Sequence, residues 1–227
     1  MLFSCKISHS VLNYLERNGE DTSLLLQSTT LPEEFLKDPS YWMPAQDMEK
    51  FLEIAAQMPT QKQEENLLQK IGHQTPDLRS WGVLDSVLRM MPSPQEILAK
   101  PSRFLSYFIS PEPPVDNILR TDCSLQLDLP VPSDQFPYVT EYLKAGFESL
   151  PVFMGKGLSS CTWQGMRLSF DWQAKQNVMF DTEETGRQLS PELLRSIVSQ
   201  LEKHQLELQQ KNAELEARNQ QLKNAYE

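Results

Sequence analysis

Ser160-Cys161-Thr162-Trp163-Gln164-Gly165-Met166-Arg167-Leu168-Ser169-Phe170-Asp171-Trp172 reads as two short strands joined by a tight turn. Met166, Leu168, Phe170 and Trp172 fall on one face, and Arg167, Ser169 and Asp171 on the other. That period of two is what a half-buried strand imposes on its side chains. Gln164-Gly165 is the expected two-residue turn between residues 160–163 and 166–172. Upstream the same alternation recurs: Cys123, Leu125, Leu127 and Leu129 against Ser124, Gln126 and Asp128. Between these strands, residues 135–153 return to helical spacing, with Phe136, Val139, Tyr142, Leu143, Phe147 and Leu150 on the core face. Gly146 inside that helix costs about 1 kcal/mol against Ala and so points to close packing.

Before residue 110 the period is helical. Ile7, Val11, Tyr14 and Leu15 share a face of a first helix that Asn18-Gly19 can end. Asp47 precedes a stripe of Met48, Phe51, Leu52, Ala55 and Ala56, and residues 64–71 form a further helix closing on Gly72. Trp81, Leu84, Val87, Leu88 and Met91 recur at helical spacing, followed by helices over 94–98 and 102–109. Ser110-Pro111-Glu112-Pro113-Pro114 is too proline-rich for regular structure and marks the change of period. The expectation is a mixed α/β (α+β) fold: an N-terminal helical part packed on a small antiparallel sheet, followed by a long C-terminal coiled-coil helix.

That last helix rests on a separate signal. Ser190-Pro191-Glu192 is a helix start, with Ser as N-cap, Pro in the first turn and Glu complementing the dipole. Leu194, Leu201, Leu208, Leu215 and Leu222 then recur every seven residues with no Gly or Pro between them. Sustained heptads of this kind mark a coiled coil. With the leucines at d, the a positions are Val198, Gln205, Asn212, Asn219 and Tyr226. This a-layer is polar and weak, and Asn at a favours a two-stranded parallel register. The expected dimer interface is therefore Leu194, Val198, Leu201, Leu208, Asn212, Leu215, Asn219 and Leu222. Every Trp, Phe and Cys lies upstream of this segment. The boundaries expected are a globular sensory domain over 1–182, a linker over 183–189 and a parallel dimeric coiled coil over 190–227.

The 227 residues carry a net charge of −10, which repels polyanions and argues against a nucleic-acid-binding surface. No apolar run approaches the length of a membrane span. The first residues, a polar helix-like stretch, lack the charged-then-apolar pattern of a secretion signal. Cys5, Cys123 and Cys161 are odd in number and far apart, so they imply small core residues and no disulfide framework. A cytoplasmic location is expected.

Few residues suggest chemistry. His9 lies between two serines, His73 follows Gly72 as surface polarity, and His204 falls at a g-type position of the heptads. No His or Cys pair has metal-site spacing, so neither a metal nor another cofactor is expected. Gly155-Lys156-Gly157 lacks the spacing and following helix of a phosphate loop and reads as a helix-to-strand turn. No catalytic residue is assigned. The aromatic residues are the remaining candidates, as core or as the lining of an apolar pocket between helices and sheet. The ligand-binding set expected is Trp81, Phe104, Tyr107, Phe108 and Trp163, with Arg120 and Arg167 as polar groups near the strands.

Ile71-Gly72, Trp81-Gly82-Val83-Leu84-Asp85 and Ser93-Pro94-Gln95-Glu96-Ile97-Leu98, followed by the strands, resemble the N-terminal effector domain of arabinose-regulator-type transcription factors. A more distant resemblance is to haem–nitric-oxide-binding domains. Residues 101–110 lack that family's axial His and residues 123–127 lack its Tyr-x-Ser-x-Arg motif, so no haem ligand is carried over. The tail Leu222-Lys223-Asn224-Ala225-Tyr226-Glu227 resembles the signalling helix of sensor histidine kinases. Together these resemblances imply the input region of a cytoplasmic sensor histidine kinase. Such a region is non-catalytic: it dimerises through the coiled coil, senses a small-molecule effector or a regulatory protein, and relays the signal to an output module. The alternatives are an interaction scaffold without small ligand, the effector-binding domain of a transcription regulator, and an enzyme with its site among the aromatics.

Overall fold

In the computed structural model, which describes residues 1–29, 31–58 and 66–172, short helices surround two separate antiparallel sheets. The mixed α/β class expected from the two periods is the class the chain adopts. The linker at 183–189, the heptads at 190–227 and all eight expected interface residues lie outside the described residues.

The first sheet has no counterpart in the sequence reading. Its central strand β1 (Leu2–Ser4) runs antiparallel to β2 (Trp42–Pro44) on one side and to β3 (Ile109–Ser110) on the other. The N-terminal stretch is thus strand before it is helix, and Ile109 pairs with Phe3 instead of ending a helix. Strands of two or three residues are too short to show a period; they form because Phe3, Met43 and Ile109 bury together from distant parts of the chain.

Helix α1 (Lys6–Arg17) buries Ile7, Val11, Leu12, Tyr14 and Leu15, and the chain turns at Gly19 with φ +74°. Short helices α2 (Ser23–Gln27) and α3 (Glu33–Leu36) lead to α4 (Ala45–Gln57), with Met48, Phe51, Leu52 and Ala55 buried. Then come α5 (Leu67–His73), α6 (Thr75–Leu78), α7 (Val83–Met90), α8 (Pro94–Ile97) and α9 (Pro101–Leu105).

The second sheet has the order β4-β5-β7-β6, all antiparallel, from β4 (Asp116–Arg120), β5 (Ser124–Asp128), β6 (Ser160–Gln164) and β7 (Arg167–Asp171). Leu125, Leu127, Cys161, Trp163, Leu168 and Phe170 face the core, as the alternation requires. The hairpin turn is displaced by one residue from the expected position. Gln164 pairs with Arg167, so the two loop residues are Gly165 and Met166, with Gly165 supplying φ +56° at the first loop position. Strand β4 escapes sequence reading because none of its five residues is buried.

Helix α10 (Pro137–Glu148) lies between the helices and this second sheet, and a 3-10 turn at Leu150–Met154 follows it. Gly72 sits inside α5 and does not cap it: it lies against α10. A Cβ at Gly72 would stand 2.5 Å from the Ala145 Cβ, 2.8 Å from the Tyr142 carbonyl oxygen and 2.9 Å from the Gly146 nitrogen. Only a missing side chain lets the two backbones approach so closely. Gly146 performs the reciprocal service for Trp81, whose ring lies 3.1 Å from the Cβ position that Gly146 leaves empty. Trp81, fully buried, meets Phe108 edge-on at 4.8 Å and stacks on Phe153 at 5.8 Å.

Gly72→Ala is expected to destabilise the protein by about 3 kcal/mol or more, since the clash is with helix backbone that cannot yield. Gly157→Ala, with nothing within 4 Å, is expected to change stability by no more than ~0.5 kcal/mol. Urea denaturation of both variants measures the contrast.

Candidate functional site

The aromatic residues singled out by sequence are gathered by α9, α10, the second sheet and the segments before α7 and β3 into one packed cluster. Phe104 contacts Phe108 at 5.7 Å and Phe147 at 5.5 Å, Phe108 contacts Phe147 at 5.9 Å, and Phe147 stacks on Trp163 at 6.4 Å. Indole donors are used inside the protein: Trp81 Nε1 donates to Tyr142 Oη at 3.1 Å, and Trp163 Nε1 to the Val131 carbonyl at 3.2 Å. The space left between α9 and the sheet, bounded by Leu98, Phe104, Leu125, Phe147 and Phe170 among others, is about 10 Å³ and wholly apolar. That is room for one water molecule at most. Trp81, Phe104, Phe108 and Trp163 therefore fill the interior. Tyr107 is 36% exposed, Arg120 donates to the Leu98 carbonyl, and Arg167 lies on the opposite face of the sheet. The structure brings four of the seven expected ligand residues together and leaves three apart.

The outward face of the second sheet carries a shallow polar recess of about 370 Å³, lined by Asp128, Thr162, Gln164, Met166, Arg167 and Ser169. Strand alternation places these groups there, because their neighbours Leu127, Cys161, Trp163, Leu168 and Phe170 point into the core. Arg167 Nε and Nη2 donate to the two Asp128 carboxylate oxygens at 2.9 and 3.2 Å, and Asn117 Nδ2 donates to Oδ2 at 2.7 Å. The Arg167 hydrogen bonds, then that of Asn117, hold the Asp128 carboxyl below its usual range, and Asp128 in turn raises Arg167. Thr162, Gln164 and Ser169 add neutral donors and acceptors, so the recess suits a polar ligand or a polypeptide surface.

A second polar centre, at the first turns of α1 and α7, was not legible in the sequence. Asp85, 4% exposed, is the third residue of α7 and its Oδ2 accepts the Trp81 backbone N–H at 2.8 Å. Its Oδ1 is the one buried side-chain polar atom without a hydrogen-bond partner among the described residues. Burial pushes the Asp85 carboxyl up to about 6, against the opposing pull of the Trp81 N–H, Arg89, Arg79 and Lys6. Lys6 Nζ donates to the Pro39 carbonyl at 2.6 Å, and burial lowers its amine to about 8. Tyr142 is pushed upward by full burial.

The two described histidines are tied down. His9 Nδ1, donating to the Ser80 carbonyl at 3.0 Å, is the first of a stripe on α1 with Asn13 and Arg17. Asn13 Nδ2 and Arg17 Nη2 both donate to the Leu78 carbonyl, at 3.0 and 3.2 Å, so the stripe fastens the segment after α6. Burial lowers His9. His73, expected as surface polarity, instead pairs through Nε2 with Glu148 Oε2 at 2.7 Å, and Glu148 Oε1 accepts the Cys161 backbone N–H at 3.1 Å. Cys5 and Cys161 are buried core residues as expected, while Cys123 is half-buried; all three are free. Burial pushes the Cys5 thiol up to about 11 and Cys161 further. Among the described residues no group of three His, Cys, Asp or Glu is placed to hold a metal ion, and no helix is long and apolar enough to cross a membrane.

No family model, no curated protein and no solved structure matches this chain.

Asp85 gives a pH signature whose sign follows from its raised value. The folded protein takes up the proton near pH 6, the unfolded chain only near 3.8, so the cost of burying the charge is present above pH 6 and relieved as pH falls toward 4. His9, lowered in the fold, acts oppositely and costs stability in acid, so the Asp85 contribution is read as the difference between wild type and one variant. Asp85→Asn keeps the acceptor for Trp81 and removes the charge. It is expected to gain on the order of 2 kcal/mol relative to the wild type at pH 7.5, the gain vanishing by pH 4. Chemical denaturation of both proteins across that range measures the difference, and His9 cancels from it.

Proposed function

We propose that this chain is the signal-input and dimerisation region of a signal-transduction protein. The domain over 1–182 receives the signal, and the heptads over 190–227 pair two copies and pass the change onward. The observation that carries this reading is the way the chain leaves the sheet. Strand β7 lies between β5 and β6, and the residue after it, Trp172, is fastened at both donors: its backbone N–H to the Cys123 carbonyl at 2.9 Å and its Nε1 to the Asp122 carbonyl at 3.1 Å. Trp172, the last described residue, is thereby fixed to the turn between β4 and β5. A ligand in the recess on the outer face touches β5, β6 and β7 directly. Binding there shifts the stalk only as far as its affinity differs between two arrangements of those strands. The polar a-layer of Gln205, Asn212 and Asn219 supports a small free-energy gap between stalk registers.

An output module of the histidine-kinase type is what the sequence resemblance adds to this reading. The small apolar interior supports a signal received on the surface, from a polar effector or a regulatory protein. The same observation favours one rival, an interaction scaffold that binds a partner and no small ligand. A metabolite that raises the thermal midpoint in wild type but not in Thr162→Lys separates the two.

Dimerisation is tested directly. Sedimentation of the whole chain is expected to give twice its mass of 26.2 kDa, and Asn212→Cys or Asn219→Cys, in a Cys123→Ser background, is expected to form a disulfide-linked dimer on mild oxidation. A chain that stays monomeric at high concentration and does not cross-link overturns the reading.

A further inference from the structure

We infer that β4 is a contact surface between the globular parts of two copies of this chain, related by a two-fold axis through Ile118. The inference rests on the dimeric reading above and deepens it. All five residues of β4 are exposed, and its two apolar side chains, Ile118 at 47% and Leu119 at 67%, are adjacent in sequence. In a regular strand one of two neighbours turns toward the core. Here the register with β5 slips between Asp116 and Leu119, and Asn117 takes φ +50°, so neither does. On the opposite edge the start of β6 is taken: the Cys161 N–H is held by the Glu148 carboxylate and the N–H of the preceding Ser159 by the Glu148 carbonyl, both at the end of α10. The open edge is β4.

Two features identify the occupant as a second copy. The first is the exit of the chain. Strand β4 runs into the turn whose Asp122 and Cys123 carbonyls hold Trp172, so Trp172, the last described residue, lies at the Arg120 end of the same strand. Parallel pairing of the heptads, as proposed above, tethers the Trp172 of one copy to that of the other. Residues 173–189 reach at most ~60 Å at full extension, which keeps the two β4 strands at an effective concentration on the order of millimolar. The second is charge. In an antiparallel juxtaposition centred on Ile118, Asp116 of each copy meets Arg120 of the other, at both ends of the contact. Arg120 spends one donor on the Leu98 carbonyl and its guanidinium has others to offer. Such a contact is isologous and closes on itself, while the bulge prevents open-ended strand addition. Two apolar side chains per copy fall far short of the roughly 800 Å² per partner of a stable interface. The contact therefore assists the stalk and does not replace it.

The test uses the full chain in a Cys123→Ser background. Ile118→Cys is expected to give a disulfide-linked dimer under mild oxidation, since the two Ile118 positions face each other across the axis. Asn212→Cys is oxidised in parallel. Cross-linking at Asn212→Cys but not at Ile118→Cys overturns this inference and leaves the dimeric reading standing; a chain that is monomeric in sedimentation and fails to cross-link at Asn212→Cys overturns that reading itself. Leu119→Asp is expected to raise the dimer dissociation constant about tenfold with the thermal midpoint of folding unchanged. An unchanged dissociation constant overturns the inference, and a lowered midpoint alongside it assigns the patch to the chain's own tail.

Discussion

The close crossing of α5 and α10 governs the placement of almost everything else. Because Gly72 has no side chain, the two helix backbones come within van der Waals distance at Tyr142, Ala145 and Gly146. That approach sets the depth of α10 in the domain. From there Tyr142 presents its hydroxyl to the Trp81 indole, Gly146 leaves room for the same ring, and Phe147 meets Phe104, Phe108 and Trp163. At its last residue α10 reaches both ways, with Glu148 bonded to His73 of α5 and to the backbone of β6. One helix thus couples the helical region to the second sheet.

Polar groups inside the domain do different work from those outside. Asp85 holds the start of α7 by accepting the Trp81 N–H, yet one of its oxygens is buried without a partner, and burial raises its carboxyl. Lys6, lowered by burial, lies close enough to exert a pull on it. By contrast the Arg167–Asp128 pair stands in water on the outer face, where such a pair adds little to stability. Its geometry matters more than its energy, because it fixes two charged groups beside Thr162, Gln164 and Ser169 on a flat, paired surface.

Periodicity made β5, β7, α1, α4 and α10 legible, since each has a run long enough for one face to repeat. Gly146 announced a close contact for the same reason: a glycine in a helix is a cost that something must offset. The first sheet was silent because its strands are two or three residues long and their partners lie about forty and a hundred positions apart. Gly72 was misread as a cap because a glycine near the end of a helical run fits both roles, and only the helix packed against it distinguishes them. The aromatic residues could be recognised as a cluster in waiting, but whether a cluster encloses a pocket depends on a few cubic ångströms of packing.

From the amino-acid order alone came the mixed class, the hairpin faces and the seven-residue leucine repeat, because each is a local pattern written by backbone geometry. Tertiary structure alone decided that Trp81, Phe104, Phe108 and Trp163 fill the interior, that Asp85 is buried with an unpaired oxygen, and that Ile118 and Leu119 are left outside. These depend on which distant segments approach and how closely, and the approach is set by the fit of whole helices and sheets, with no local pattern to record it.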